Sequence, residues 1–321
     1  MRRFFPVLVG LPLMLSLVGC AQSGDVPGLG DTPDEQSAAF EQRATVVVAA
    51  WQAAPGQETW RTGYVPLQHA TVLTADPKFT DETRQAFQAG WYRHQVELPT
   101  VRPVDGSISF PDGTLTVPLV SAVEAYQQIA QGEPPPCPGR PSEPPVQPSP
   151  TLGPDAPVST SAVSACLPLT VTAVELGTVP VHTSRGTAQV PAWLFTTEEL
   201  AAPVARLAVA PSAVGPAPSP SVVPPEQGTG FAWAQNLAVI DGAKLTYRLG
   251  VGACDTDITP LVAERDDAIV VAGRVATSTG VCTDQLVIHP VTVTLAAPLG
   301  ARPVLDAATG APLVLTPDPV R

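Results

Sequence analysis

LPLTVTAVELGTVPVHTSRGTAQVPAWLF (residues 167–195), taken with the ARLAVAP that follows, reads as three or four antiparallel strands, with a turn at Ser184–Gly186. Upstream of it the pattern is different. Phe40, Ala44, Val47, Val48 and Trp51 fall at helical spacing and outweigh the β-branched run TVVV, so the chain opens on an amphipathic helix that Asp34 is placed to cap. FTDETRQAFQAGWYRH (79–94) reads as a second helix, with Thr80 as N-cap, acidic residues in its first turn, and Phe87 and Trp91 four apart. SISFPDGTLTVPLV (107–120) is a hairpin about Pro111–Gly113, and Ser121 with Glu124 forms a capping box opening a helix to about Gln131. Helices followed by a meander bury their stripes against one sheet face, so the expected fold class is α+β, with helices packed on an antiparallel sheet.

Two proline-rich stretches punctuate the chain, at 133–166 and 211–227, and neither has the apolar periodicity of a packed element. Beyond the second, LTYRLGV, PLVAERDDAIVVAGRVA (a hairpin about Asp266 and Asp267), QLVIHPVTVTLAAPL and RPVLDAATGAPLVL read as five to seven short strands. The expected organisation is therefore an α+β domain over 37–210 with a proline-rich loop at 133–166, a linker at 211–227, and a smaller all-β antiparallel domain over 228–321. Cys137, Cys166, Cys254 and Cys282 are even in number, and separations of 29 and 28 residues within each block favour Cys137–Cys166 and Cys254–Cys282. No CxxC occurs, and His69, His94, His182 and His289 have no zinc-finger spacing, so neither metal nor cofactor is expected.

The amino terminus carries an address. Arg2 and Arg3 precede an apolar run from Phe4 to Val18 that is too short, and too interrupted by Pro6, Gly10 and Pro12, to span a membrane. Leu17, Val18, Gly19 and Cys20 resemble the lipobox of bacterial lipoprotein signal peptides. That resemblance implies a signal peptide over 1–19, a diacylglyceryl group on Cys20, and a tether over 20–36 that holds the protein at the extracytoplasmic membrane face. Loss of residues 1–19 removes two arginines and takes the net charge from −12 to −14, which argues against a nucleic-acid partner. Only Lys78 and Lys244 stand against 15 arginines, a composition that fits a high-GC genome. WRTGYVPLQ, FTDETRQAFQAGWYR, TSRGTAQVPAWLF, GVGACDTDI and APLGARPVLDAATGAPL resemble a group of uncharacterised actinobacterial lipoproteins, which implies a location without an activity. The order of helix, meander and VPAWLF is also similar to PepSY-like modules, envelope domains thought to restrain or bind peptidases.

Signatures of chemistry are sparse. There is no GxSxG elbow, no SxxK and no glycine-rich phosphate cradle. Asp255 and Asp257 form a DxD pair without the further ligands of a calcium loop, and Glu264, Asp266 and Asp267 read as a solvated hairpin tip. Aromatic residues crowd between 51 and 126. Trp60 lies in PGQETWRTGY outside any helical stripe, so Trp60, Arg61 and Tyr64 are the candidate partner contacts, aromatic and arginine anchors being what interfaces favour. The resulting expectation is a non-catalytic binding or structural component of the cell envelope, with an envelope protein or a glycan as partner. The alternative is an envelope hydrolase whose site is assembled from distant residues.

Overall fold

Two curled sheets, each a half-barrel, carry the fold of the computed structural model, which describes residues 33–132, 134, 167–223, 231–276, 282–283 and 285–317. The elements before the second sheet run α1 (Pro33–Ala53), α2 (Gln57–Thr62), β1 (Thr71–Leu73), α3 (Asp81–Ala89), β2 (Tyr92–His94), β3 (Gly106–Phe110), β4 (Gly113–Val117), α4 (Ala122–Ile129), β5 (Leu169–Thr183), β6 (Gly186–Thr197) and β7 (Val204–Leu207). The first sheet is built on the long β5–β6 hairpin, whose turn falls at Ser184–Arg185. β2 adds to β5 in parallel, while the other edge of β6 carries β7 and then β1 over one half and meets β3 and β4 at Ser109–Gln189. The second sheet contains β8 (Phe231–Asp241), β9 (Lys244–Gly252), β10 (Thr256–Glu264), β11 (Ile269–Ala276) and β12 (Leu286–Thr294) in the order β10–β11–β8–β9–β12, with β13 (Val304–Asp306) parallel to β11.

The fold class therefore differs from the α+β expectation. Strand makes up 45% of the structure and helix 19%, and the first unit is not a set of helices packed on an antiparallel sheet. The physical reason lies in where the helices go. The longest of them, α1, leaves the first sheet altogether: Phe40, Ala44, Val47 and Trp51 share a buried cluster with Ala263, Ala268, Val270, Ala272, Leu305 and Ala307 of the second sheet. Only the short helices α3 and α4 remain beside the first sheet, where Tyr126 of α4 lies 6.1 Å from Phe195 and the Trp193 indole N–H donates to the Val120 carbonyl. The second sheet is mixed rather than purely antiparallel, because β13 joins β11 in parallel.

Local sequence signals hold where they are chemically specific. Thr80 caps α3 in a reciprocal pair with Thr83, and Ser121 with Glu124 forms the capping box of α4. α3 stops at Gly90 instead of continuing to His94, so Trp91 joins a β-bridge with Gly132 and Tyr92 opens β2. Gly90 has φ +67°, and a Cβ there would come within 2.7 Å of the Ile129 carbonyl oxygen, so glycine is required at the point where the ends of α3 and α4 meet. Of the proline-rich stretch read as a linker, residues 211–223 lie against the molecule. Gly215 donates to the Tyr64 carbonyl, and Arg43 of α1 donates to the carbonyl of Val223.

Cys254 and Cys282 form a disulfide. It ties the chain just before β10 to the chain just before β12, the two edges of the second sheet, which curl to within 8 Å of one another. Cys20, Cys137 and Cys166 lie outside the described residues.

Two outcomes follow from this packing. Trp60 is 5% exposed and stands edge-on to Trp51, with ring centroids 4.9 Å apart, so Trp60→Ala should cost about 3–5 kcal/mol of stability in urea unfolding. Replacing Cys254 and Cys282 together with serine opens a loop set by a separation of 28 residues and should cost about 3–4 kcal/mol in the same assay.

Candidate functional site

A concavity of about 680 Å³ lies between the edge strand β1 and the carboxy-terminal ends of α3 and α4. Its size falls within the roughly 300–1,000 Å³ typical of small-molecule sites. The stop of α3 at Gly90 sets one wall, because the Gln131 amide donates to the Gly90 carbonyl at 2.9 Å and holds the two helix ends together. Tyr92 and Ile129 form a buried apolar floor; Val72, Leu73 and Phe87 form the half-buried sides; Gln68, His69, Gln88, Gln128 and Gln131 line the rim. β1 and β2 are opposite edges of the run β2–β5–β6–β7–β1, so the groove opens at the gap the curled sheet leaves between them.

One charged side chain projects into this space from a strand. Arg206 of β7 sits opposite Thr71 in the β1–β7 register, and its Nη1 donates to Thr71 Oγ1 at 3.1 Å. Its Nε and Nη2 both donate to Gln128 Oε1, at 3.0 and 2.7 Å, so a neutral amide takes the place a carboxylate usually occupies. Partial burial pushes its pKa below the ordinary value, yet a guanidinium remains protonated at any physiological pH. Among the described residues no Asp or Glu lines the groove.

The residues singled out from the sequence lie elsewhere. Trp60 and Tyr64 are 5% and 2% exposed: the segment read as a loop forms α2 with Trp60 turned inward, and Tyr64, just beyond it, is packed in the core of the first sheet. Arg61 is exposed at a smaller cavity of about 280 Å³. In that cavity Arg185 grips Asp112 through two hydrogen bonds and holds its carboxyl below the usual range, and the neutral Gln52 amide donates to Asp267. Asp255 accepts the Gly252 amide and closes a turn, and Glu264 pairs with Arg302. Among the described residues no group of three His, Cys, Asp or Glu side chains is arranged to hold a metal ion, and no histidine ring is hydrogen bonded to a serine or a carboxylate.

Arg206 escaped sequence reading because ARLAVAP is merely an apolar strand with one arginine. The available signal was a cation inside an otherwise apolar run, which needs either a partner or a ligand. Comparison of the chain with models of known families, with characterised proteins and with solved structures finds no match.

His182 is 7% exposed in β5, and burial lowers its pKa to about 4 from an ordinary value near 6.5. The unfolded chain therefore binds the proton first as pH falls. Stability is full above pH 6.5 and is lost as pH drops from about 6.5 to about 4, by about 3 kcal/mol from this residue. Urea unfolding across that range should show the slope, and His182→Gln should remove its share of it.

Proposed function

We propose that this chain is a lipoprotein of the cell envelope, held at the extracytoplasmic membrane face through Cys20, and that it acts by binding, with the β1–α3–α4 groove as its site. The lipobox-like Leu17–Cys20, its apolar lead and the polar segment behind it support the anchor. A single observation carries the binding half: a concavity of about 680 Å³ with mainly apolar walls lies on elements fixed by backbone hydrogen bonds and contains one arginine without a carboxylate partner among the described residues. Among the described residues the buried side-chain polar atoms without a partner, Tyr64 Oη, Ser184 Oγ and Thr197 Oγ1, belong to residues outside the groove lining. The likeness to uncharacterised actinobacterial lipoproteins agrees with this location.

Two measurements test the reading. Cys20→Ser should move the protein from the membrane fraction to the soluble one, and retention in the membrane would place the anchor elsewhere. Native mass spectrometry of the chain recovered from envelopes should show a bound small molecule. Ala75 lies on the exposed lip of the groove, and Ala75→Trp should eliminate that adduct. An adduct that survives the substitution unchanged sits outside the groove and removes the site assignment.

A further inference from the structure

Several arginines of the protein have carboxylate or backbone partners. Arg102 bonds Glu124, Arg185 bonds Asp112, Arg265 bonds Glu41, Arg302 bonds Glu264, and Arg43 spends its donors on three backbone carbonyls. Arg206, like Arg93 on Thr170, bonds neutral side chains only, and it is the arginine that lines the groove. Its three hydrogen bonds go to a neutral amide and a hydroxyl, so of five guanidinium N–H groups two are unspent, one on each terminal nitrogen. The two acceptors also fix the plane of the group, so a ligand meets a preorganised donor pair. Among the described residues no acidic side chain lines the groove.

We infer that the groove takes a single-chain carboxylate amphiphile, its carboxylate on the two free N–H groups of Arg206 and its aliphatic chain along Val72, Leu73, Phe87 and Ile129. The inference rests on the binding reading of the groove given above. The head is assigned from charge and geometry. One guanidinium neutralises one carboxylate, and two adjacent donors match its two oxygens. An alkyl phosphate carries about −1.5 to −2 at neutral pH and would keep most of a charge unmatched beside the negative ends of α3 and α4. The tail is assigned from the walls: beyond Arg206, the polar side chains of the groove are the glutamines, His69, Thr71 and the Tyr92 hydroxyl, while Val72, Leu73, Phe87 and Ile129 give it an apolar face. A chain laid there loses water contact along its length, and each buried methylene raises affinity about threefold to fourfold.

Calorimetric titration of the full chain carrying Cys20→Ser, which has no acyl group of its own at that position, tests this directly. The probes are octanoate, decanoate and dodecanoate, methyl decanoate, decyl phosphate, and inorganic phosphate alone. Affinity should rise with each added pair of methylenes. Decanoate should bind at least tenfold tighter than its methyl ester and tighter than decyl phosphate, and inorganic phosphate should not bind. Arg206→Gln should bring decanoate down to the level of the ester, and Arg206→Lys should restore part of the difference. Ala75→Trp, at an exposed position, should abolish binding of acid and ester alike, with far-ultraviolet dichroism verifying the fold of each variant. Equal binding of acid and ester, a preference for decyl phosphate, or decanoate binding unchanged by Arg206→Gln would overturn the inference. If envelopes yield a groove-dependent adduct but no carboxylate binds, the binding reading stands and the ligand class falls. If neither is found, the binding reading itself falls.

Discussion

β11 is buried on both faces, and the arrangement of the whole molecule follows from that. Ile269 and Val271 point into the second half-barrel with Tyr247 and Leu249, while Val270 and Ala272 point outward and meet Phe40, Ala44, Val47 and Trp51 of α1. A strand apolar on both sides cannot stay at a sheet surface, and the 21-residue helix is what covers it. Large apolar side chains at such a contact stabilise by roughly 1.5–3 kcal/mol each, so the contact is strong enough to draw α1 away from the strands nearest to it in sequence. At its edge Arg43 donates to the carbonyls of Ala307, Ala308 and Val223. There the buried Asp306 accepts hydrogen bonds from Ala234 and Thr309, and burial pushes its carboxyl above the usual range.

The two half-barrels are also sewn together through the backbone. Leu237 donates to Val314, Leu315 donates to Leu67, and Thr316 donates to Leu237, so residues 314–316 run between a strand of the second sheet and the segment leading into β1. That segment continues as Gln68, His69 and Ala70, which form one lip of the groove, and Pro317 ends on the same rim. The groove is therefore not a property of the first sheet alone. Its width depends on a segment anchored from the second sheet, which couples the stability of the junction to the shape of the site.

Electrostatically, the groove is set apart from the rest of the molecule. The chain carries a net charge of −12, yet among the described residues the groove holds an arginine and no carboxylate. An apolar wall lowers the local dielectric and strengthens whatever that arginine meets, while the acidic exterior opposes anions that offer no apolar part to bury. Selectivity for a ligand with both features is a natural outcome of that combination.

How much of this was legible in the sequence depends on the range of the forces concerned. Alternation in 167–195 and in the final block, the turns at Ser184–Gly186 and Asp266–Asp267, and the caps at Thr80 and Ser121 are all local. They involve hydroxyls and amides a few residues apart, or a period set by one strand, and the structure has them where the residues imply. The pairing of Cys254 with Cys282 was legible for a related reason, since a short loop needs little entropy to close. An amphipathic stripe, by contrast, requires that a face be buried but does not name what buries it. Thus Phe40, Ala44, Val47 and Trp51 marked a helix without revealing that its partner lies more than 200 residues away, and the fold class inferred from neighbouring elements was wrong. Trp60 had no stripe to declare it buried, because a single ring in a polar hexapeptide becomes core only when Trp51 arrives beside it. Arg206 is the limiting case: a lone arginine in a short strand has no visible meaning until residues from β1, α3 and α4 converge around it and none of them supplies a carboxylate.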